Sequence, residues 1–110
     1  MASNLQHVTG FIHKEDMSSD IISRPINIQH QDICSFQYVW EGNPEGEILI
    51  ELSNDGKTWT SVDLLVEQPS GSSGSAIIEI ETSVIFARAS YIAESGEGVL
   101  SVHYCGKLIG

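Results

Sequence analysis

Glu45, Glu47 and Glu51 fall on or beside one run of alternating residues, with Asp55 and Asp63 a few positions further on. Paired carboxylates are what glycosidic bond cleavage requires. Nothing in the spacing selects one pair over another, so these residues read as the solvated acidic face of a strand. The four histidines, at positions 7, 13, 30 and 103, lack an i, i+2 or i, i+4 partner that would set up a metal site with a carboxylate. They read as surface or edge residues. No serine sits in a nucleophile-elbow pattern, and GSSGS has the composition of a linker, not of a phosphate-binding loop between a strand and a helix. The sequence therefore predicts no catalytic residues, no resident metal and no cofactor, and a protein that is not an enzyme. A calcium ion could take the oxygens of the Asn54–Asp55 turn, although the acidic cluster there is sparse.

The elements that would position such groups are strands. In GEILIELSNDGKTW, residues 46–59, Ile48, Ile50 and Leu52 point to one face and Glu47, Leu49 and Glu51 to the other. Asn54, Asp55 and Gly56 then reverse the chain, because Asn and Asp tolerate left-handed backbone and Gly adopts it without steric cost. Upstream, ICSFQYVW places Cys34, Phe36, Tyr38 and Trp40 on one face, the heaviest aromatic load in the chain and hence a core face. Further strands are expected at residues 59–65, 76–81, 86–93 and 99–105, with Ser95, Gly96, Glu97 and Gly98 forming a hairpin whose two glycines supply positive φ. EQPSGSSGS reads as a flexible, exposed loop. Arg88, the only cation in its strand, is placed to pair with an acidic strand face or a turn carboxylate such as Asp55.

This pattern predicts an all-β fold: a single antiparallel β-sandwich or jelly-roll-like domain of about eight strands over residues 21–110, preceded by an N-terminal arm or edge strand over residues 1–20. Its predicted core is Phe36, Tyr38, Trp40, Ile48, Ile50, Leu52, Trp59, Leu64, Ile78, Ile80, Phe86, Tyr91, Leu100 and Val102. In the arm, Val8, Phe11 and Ile12 are the candidate contacts to a neighbouring subunit, ordered only on assembly. At 110 residues, one core is the economical reading.

Charge narrows the partners. Fifteen acidic residues against five basic ones give a net charge of −10, and no two of the five are adjacent, so neither a nucleic-acid backbone nor an anionic membrane is an expected partner. The start MASNLQHVTG lacks the basic and apolar regions of a signal peptide, which predicts a chain made in the cytoplasm. Cys34 and Cys105, far apart and without CxxC spacing, read as reduced, half-buried thiols.

Two resemblances follow from these residues. ELSNDGKTW, followed about thirty residues later by FARASY, resembles elements of discoidin-like galactose-binding jelly rolls. That resemblance implies, as an alternative, a carbohydrate-binding adhesion module in which Asn54, Asp55, Trp59 and Tyr104 would contact a host glycan. The closer similarity, over residues 33–107, is to small all-β virion structural proteins of tailed bacteriophages. It rests on WEG at 40–42, SNDGKTW at 53–59, FARASY at 86–91, SGEG at 95–98 and the closing GK at 106–107. It implies a structural protein of the virion, a capsid decoration or accessory protein or a tail or head–tail component. Its expected partners are other virion proteins and copies of itself, after synthesis in the host cytoplasm.

Overall fold

Inward-facing aromatic and aliphatic residues on alternate positions fix nine strands in two antiparallel sheets in the computed structural model, which describes residues 4–62 and 69–108. The strands are β1 (Asn4–Asp16), β2 (Ile21–Ile22), β3 (Ile26–Asn27), β4 (Ile33–Gly42), β5 (Glu45–Ser53), β6 (Thr60–Ser61), β7 (Gly74–Glu81), β8 (Phe86–Ser95) and β9 (Gly98–Leu108). The first sheet runs β1-β9-β4-β7 and the second β2-β8-β5-β6, with β3 also on β8. β2 and β3 form one edge, interrupted around Pro25, which has no N–H to give to a ladder. Ser23 bridges the gap: its Oγ accepts from the Ala89 N–H at 2.9 Å and donates to the Arg24 carbonyl. Counting β2 and β3 together, every connection between successive strands crosses from one sheet to the other except β5 to β6. Eight strands wound this way form a jelly roll.

The crossings correct part of the sequence reading. Residues 95–98 do not form a hairpin, because β8 and β9 belong to different sheets. Gly96 has the positive φ, 78°, but Gly98 is not among the positive-φ residues. Gly98 is needed for space, since a Cβ there would run into the Glu41 carbonyl of the neighbouring corner. The loop read as flexible is tied down over Pro69 to Ser73. Pro69 O accepts from Gly46 N, Gly71 N donates to Pro44 O, Ser73 Oγ accepts from Gly42 N at 3.1 Å, and Ser72 O accepts from Trp40 Nε1 at 2.9 Å.

The core follows the period-2 faces. Cys34, Phe36, Tyr38 and Trp40 from β4 meet Ile48 and Ile50 from β5, Ile78 and Ile80 from β7, and Tyr91, Leu100, Val102 and Tyr104 from β8 and β9. Three predicted core residues are only half-buried: Leu52, Trp59 and Phe86. Phe86 pairs with Ser53 on the outward face, and the inward positions of β8 nearest it are Ala87 and Ala89, followed by Tyr91. Small residues there leave room for the aromatic side chains of the opposite sheet. Leu64 lies outside the described residues.

Residues 4–16 are an edge strand, paired with β9 from Asn4↔Leu108 to Asp16↔Val99 with two register shifts. Ile12, expected to contact a neighbour, is 4% exposed and belongs to this chain's own core, as does fully buried Met17. An apolar side chain at an inward position of a paired strand has its own sheet to pack on, which removes Ile12 from the interface set. The side chains of Val8 and Phe11 lie outside the described residues.

Met17→Ala should therefore cost about 2–5 kcal/mol, the usual range for truncating a buried large residue to Ala. In a domain of this size that lowers Tm by about 10 °C or more, readable by circular dichroism melting of the isolated chain. An unchanged Tm would show that the β1–β2 corner does not pack on the core.

Candidate functional site

The outward face of the second sheet gathers the polar chemistry. Antiparallel register sets Glu51 opposite Arg88 and Leu49 opposite Ser90, and all four point away from the core. Arg88 Nε donates to Glu51 Oε1 at 2.9 Å, and the Ser90 hydroxyl donates to the same oxygen at 2.6 Å. The Arg88 guanidinium lies over the Trp59 ring, with Cζ 4.3 Å from the centroid, a cation–π contact. Exposed Ile22 and Ile92 flank this group.

Glu51 is consequently a fixed anion. Partial burial opposes its charge, but the hydrogen bonds from Arg88 and Ser90 and the charge of Arg88 outweigh burial and hold the carboxyl below its ordinary range. A general acid needs the opposite shift. Arg88 thus takes the first of its two expected partners, the acidic strand face, and not Asp55.

One oxygen of the exposed Asp55 carboxylate is held by its own turn. Its Oδ1 accepts from the N–H groups of Lys57 and Thr58, each at 2.8 Å, and from the Ser53 hydroxyl at 2.9 Å, while Ser53 Oγ accepts from Gly56 N. Those donors, led by the Thr58 N–H, pull the carboxyl down to about 2. Asn54 Oδ1 accepts from Ile85 N at 3.1 Å, tying the turn to the start of β8.

The glycan-contact set is therefore dispersed. Tyr104 is fully buried on the inner face of β9, tilted against Phe36 at 5.2 Å between ring centroids, so it presents nothing to a ligand. Trp59 is half-buried with Arg88 over one face, and the side-chain oxygens of Asn54 and Asp55 noted above serve the turn. Alternation along β9 could have located Tyr104, since it shares a face with Leu100 and Val102. An acidic strand face was an expected partner of Arg88, but that Glu51 is the carboxylate and that Ser90 donates to the same oxygen had no sequence signal, because β5 and β8 lie some forty residues apart. Among the described residues no cluster of three or more His, Cys, Asp or Glu could hold a metal ion. Both cysteines are free: Cys34 is buried and Cys105 is partly exposed. Burial pushes the Cys34 thiol up to about 11, against a hydrogen bond from Tyr104.

No protein-family model matches the chain, and no curated protein matches it in sequence. Solved structures do share its fold. The PBSX exported protein XepA is similar at a TM-score of 0.65 and 12% identity, over 99% of this chain and 37% of XepA. The SPBc2 prophage-derived protein YomS is similar at 0.59 and 13%, over 97% of this chain and 96% of YomS. A chain of infectious bursal disease virus, Gx strain, is similar at 0.60 and 15%, over the whole of this chain and 34% of its own length. The chain thus spans about a third of XepA and of the viral protein and nearly all of YomS. At these identities the fold is what is shared: an all-β jelly roll also found in phage-derived and viral proteins.

Two outcomes follow from the bonding of these side chains. The folded pKa of Asp55 lies below its ordinary unfolded value of about 3.9, so its stabilising contribution is present above that value and is lost as pH falls toward about 2. Asp55→Asn should flatten the fall of Tm between about pH 4 and 2, and an unchanged slope would show that the turn does not depend on the carboxylate. Under native conditions a thiol reagent should label Cys105 and spare Cys34 until the protein unfolds, as read by mass spectrometry of the labelled peptides.

Proposed function

We propose that this chain is a non-enzymatic structural protein of a phage particle, held in place by protein–protein contacts. Within the particle it serves as a capsid decoration or accessory protein, or as a tail or head–tail component, and its partners are other virion proteins and copies of itself. The observation that carries this reading is the end-to-end match of the jelly roll to prophage-derived YomS, in which each chain covers nearly all of the other. The likeness to a chain of infectious bursal disease virus supports it. So does the state of the candidate reactive groups: Glu51 is ion-paired and one oxygen of Asp55 caps its own turn, which suits a structural surface more than a site that turns over a substrate.

Mass spectrometry of purified particles tests this reading. The chain should be recovered in mature virions at a fixed stoichiometry to the major structural protein. Its absence from particles made in cells that express it would remove the proposal.

A further inference from the structure

Counting β2 and β3 as one, the two sheets have four edge strands with no strand on their outer side among the described residues: β1 and β7, β2/β3 and β6. The open N–H and C=O groups of such an edge are a template for another chain unless bulges, proline, basic residues or shortness blunt it. Three of the four are blunted. β1 carries two register shifts, and Lys14 stands in it at φ 48°. β2 and β3 have two residues each, separated by Ser23, Arg24 and Pro25, and β6 has two residues. β7 is different: Gly74–Glu81 runs eight residues in unbroken register with β4 and contains neither proline nor a basic residue. Its charges, Glu79 and Glu81, lie in its C-terminal half, and Ile77 at its middle is 66% exposed. Of the other exposed apolar residues, Ile22 sits on two-residue β2, and Ile92 and Val99 lie on strands with a neighbour on each side, so none offers an edge of useful length.

We propose that β7 is a pairing edge, and that its occupant is β7 of a second copy of this chain, antiparallel to it and centred on Ile77. For two copies to share one outward face, residues opposite each other must both face outward or both inward, so the two-fold axis passes through a residue position. The carboxylates choose which. Centring on Glu79, Ile80 or Glu81 sets carboxylates directly opposite each other, and centring on Ile78 leaves the two Glu79 residues about 7 Å apart along the strands. Centring on Ile77 separates them by about 13 Å, beyond the Debye length of about 10 Å at 0.1 M salt. Centring on Ala76 shortens the ladder from seven residues, 74–80, to five, 74–78.

The same register matches side chains. Ile77 meets Ile77, Glu79 meets the Ser75 hydroxyl, and on the inward face Ile78 and Ile80 meet Ala76 and Gly74, large against small. β7 thus carries its own complement, which commits the edge to a second copy. Joined this way, the first sheet continues across the two-fold axis and ends at β1 of each copy. Those ends are blunted, so association stops at the dimer. The contact is narrow: a seven-residue ladder is about 23 Å long and one sheet thick, below the roughly 1,200 Å² of a stable complex, which sets dissociation at about 0.1–1 mM. A contact this weak gains its effect when many copies are held on one scaffold. To that extent the inference rests on the assembly reading above.

Sedimentation equilibrium and amide exchange of the purified chain, from about 10 µM to 2 mM, provide the test. The wild type should dimerise reversibly. Alternate residues of an antiparallel strand face opposite neighbours, so every second amide over 75–79 should exchange severalfold more slowly at the high concentration, while the β1 amides stay unchanged. Ser75→Lys sets an ammonium opposite Glu79 twice per dimer and should tighten association severalfold, and Ser75→Glu should weaken it severalfold. Ser19→Lys and Ser19→Glu, also at an exposed position but in the β1–β2 link, alter net charge alone and should shift it less than twofold. Circular dichroism melting should be the same for all four variants. A chain monomeric to 2 mM, a dimer whose β7 amides exchange as in the monomer, or Ser75 variants that behave as their Ser19 counterparts overturns the proposal. A chain present in virions yet monomeric alone overturns this pairing and leaves the assembly reading standing. A chain that dimerises through β7 yet is missing from virions overturns the assembly reading and leaves the pairing standing.

Discussion

The Tyr38 side chain spans the space between the two sheets. It leaves β4 in the first sheet, is fully buried, and donates its hydroxyl to the Leu49 carbonyl of β5 in the second at 3.1 Å. Burial favours the neutral phenol and raises its pKa, so this donor keeps its proton across the ordinary pH range. Burying one large aromatic side chain removes about 150–250 Å² from water, worth about 4–6 kcal/mol at 25 cal/mol per Å², against about 1 kcal/mol net for a hydrogen bond. Apolar burial therefore holds the sheets together. The Tyr38 hydrogen bond specifies which part of one sheet lies over which part of the other.

The rest of the architecture is arranged around that aromatic layer. Its neighbours along β4, Phe36 and Trp40, are buried with it, and Trp40 also hands its indole N–H to Ser72, binding the loop before β7 to the same strand. In the second sheet, β8 carries Ala87, Ala89 and Tyr91 on its inward face. Gly74 lets the chain pass against the Trp40 ring, where a Cβ would come within 2.7 Å of it. Large residues on one side and small ones on the other meet the density requirement of a core without voids.

Polar groups are pushed to the two outward faces and used differently on each. On the second sheet, Arg88, Glu51, Ser90 and Trp59 form a bonded cluster among further carboxylates. On the first sheet, the central rows carry hydroxyls, an amide, an imidazole and exposed Ile77.

Period-2 alternation in the sequence was enough to set the all-β class, the inward face of β4 and the inward positions of β5 and β7, because one residue in two must point at the core whatever the partner strand. The Asn54–Gly56 reversal was also legible, from residue types that tolerate positive φ or bond their own backbone. Alternation assigns a residue to a face, but it does not say which sheet a strand joins. The short links after β4 and β8 would serve a hairpin or a crossing equally well, and only the packed sandwich decided that both cross. The same limit hid which carboxylate of the acidic strand face Arg88 meets and the capture of Ile12 by the core. Each depends on strands distant in sequence being brought side by side, and that choice is made by the closure of the two sheets over one shared core.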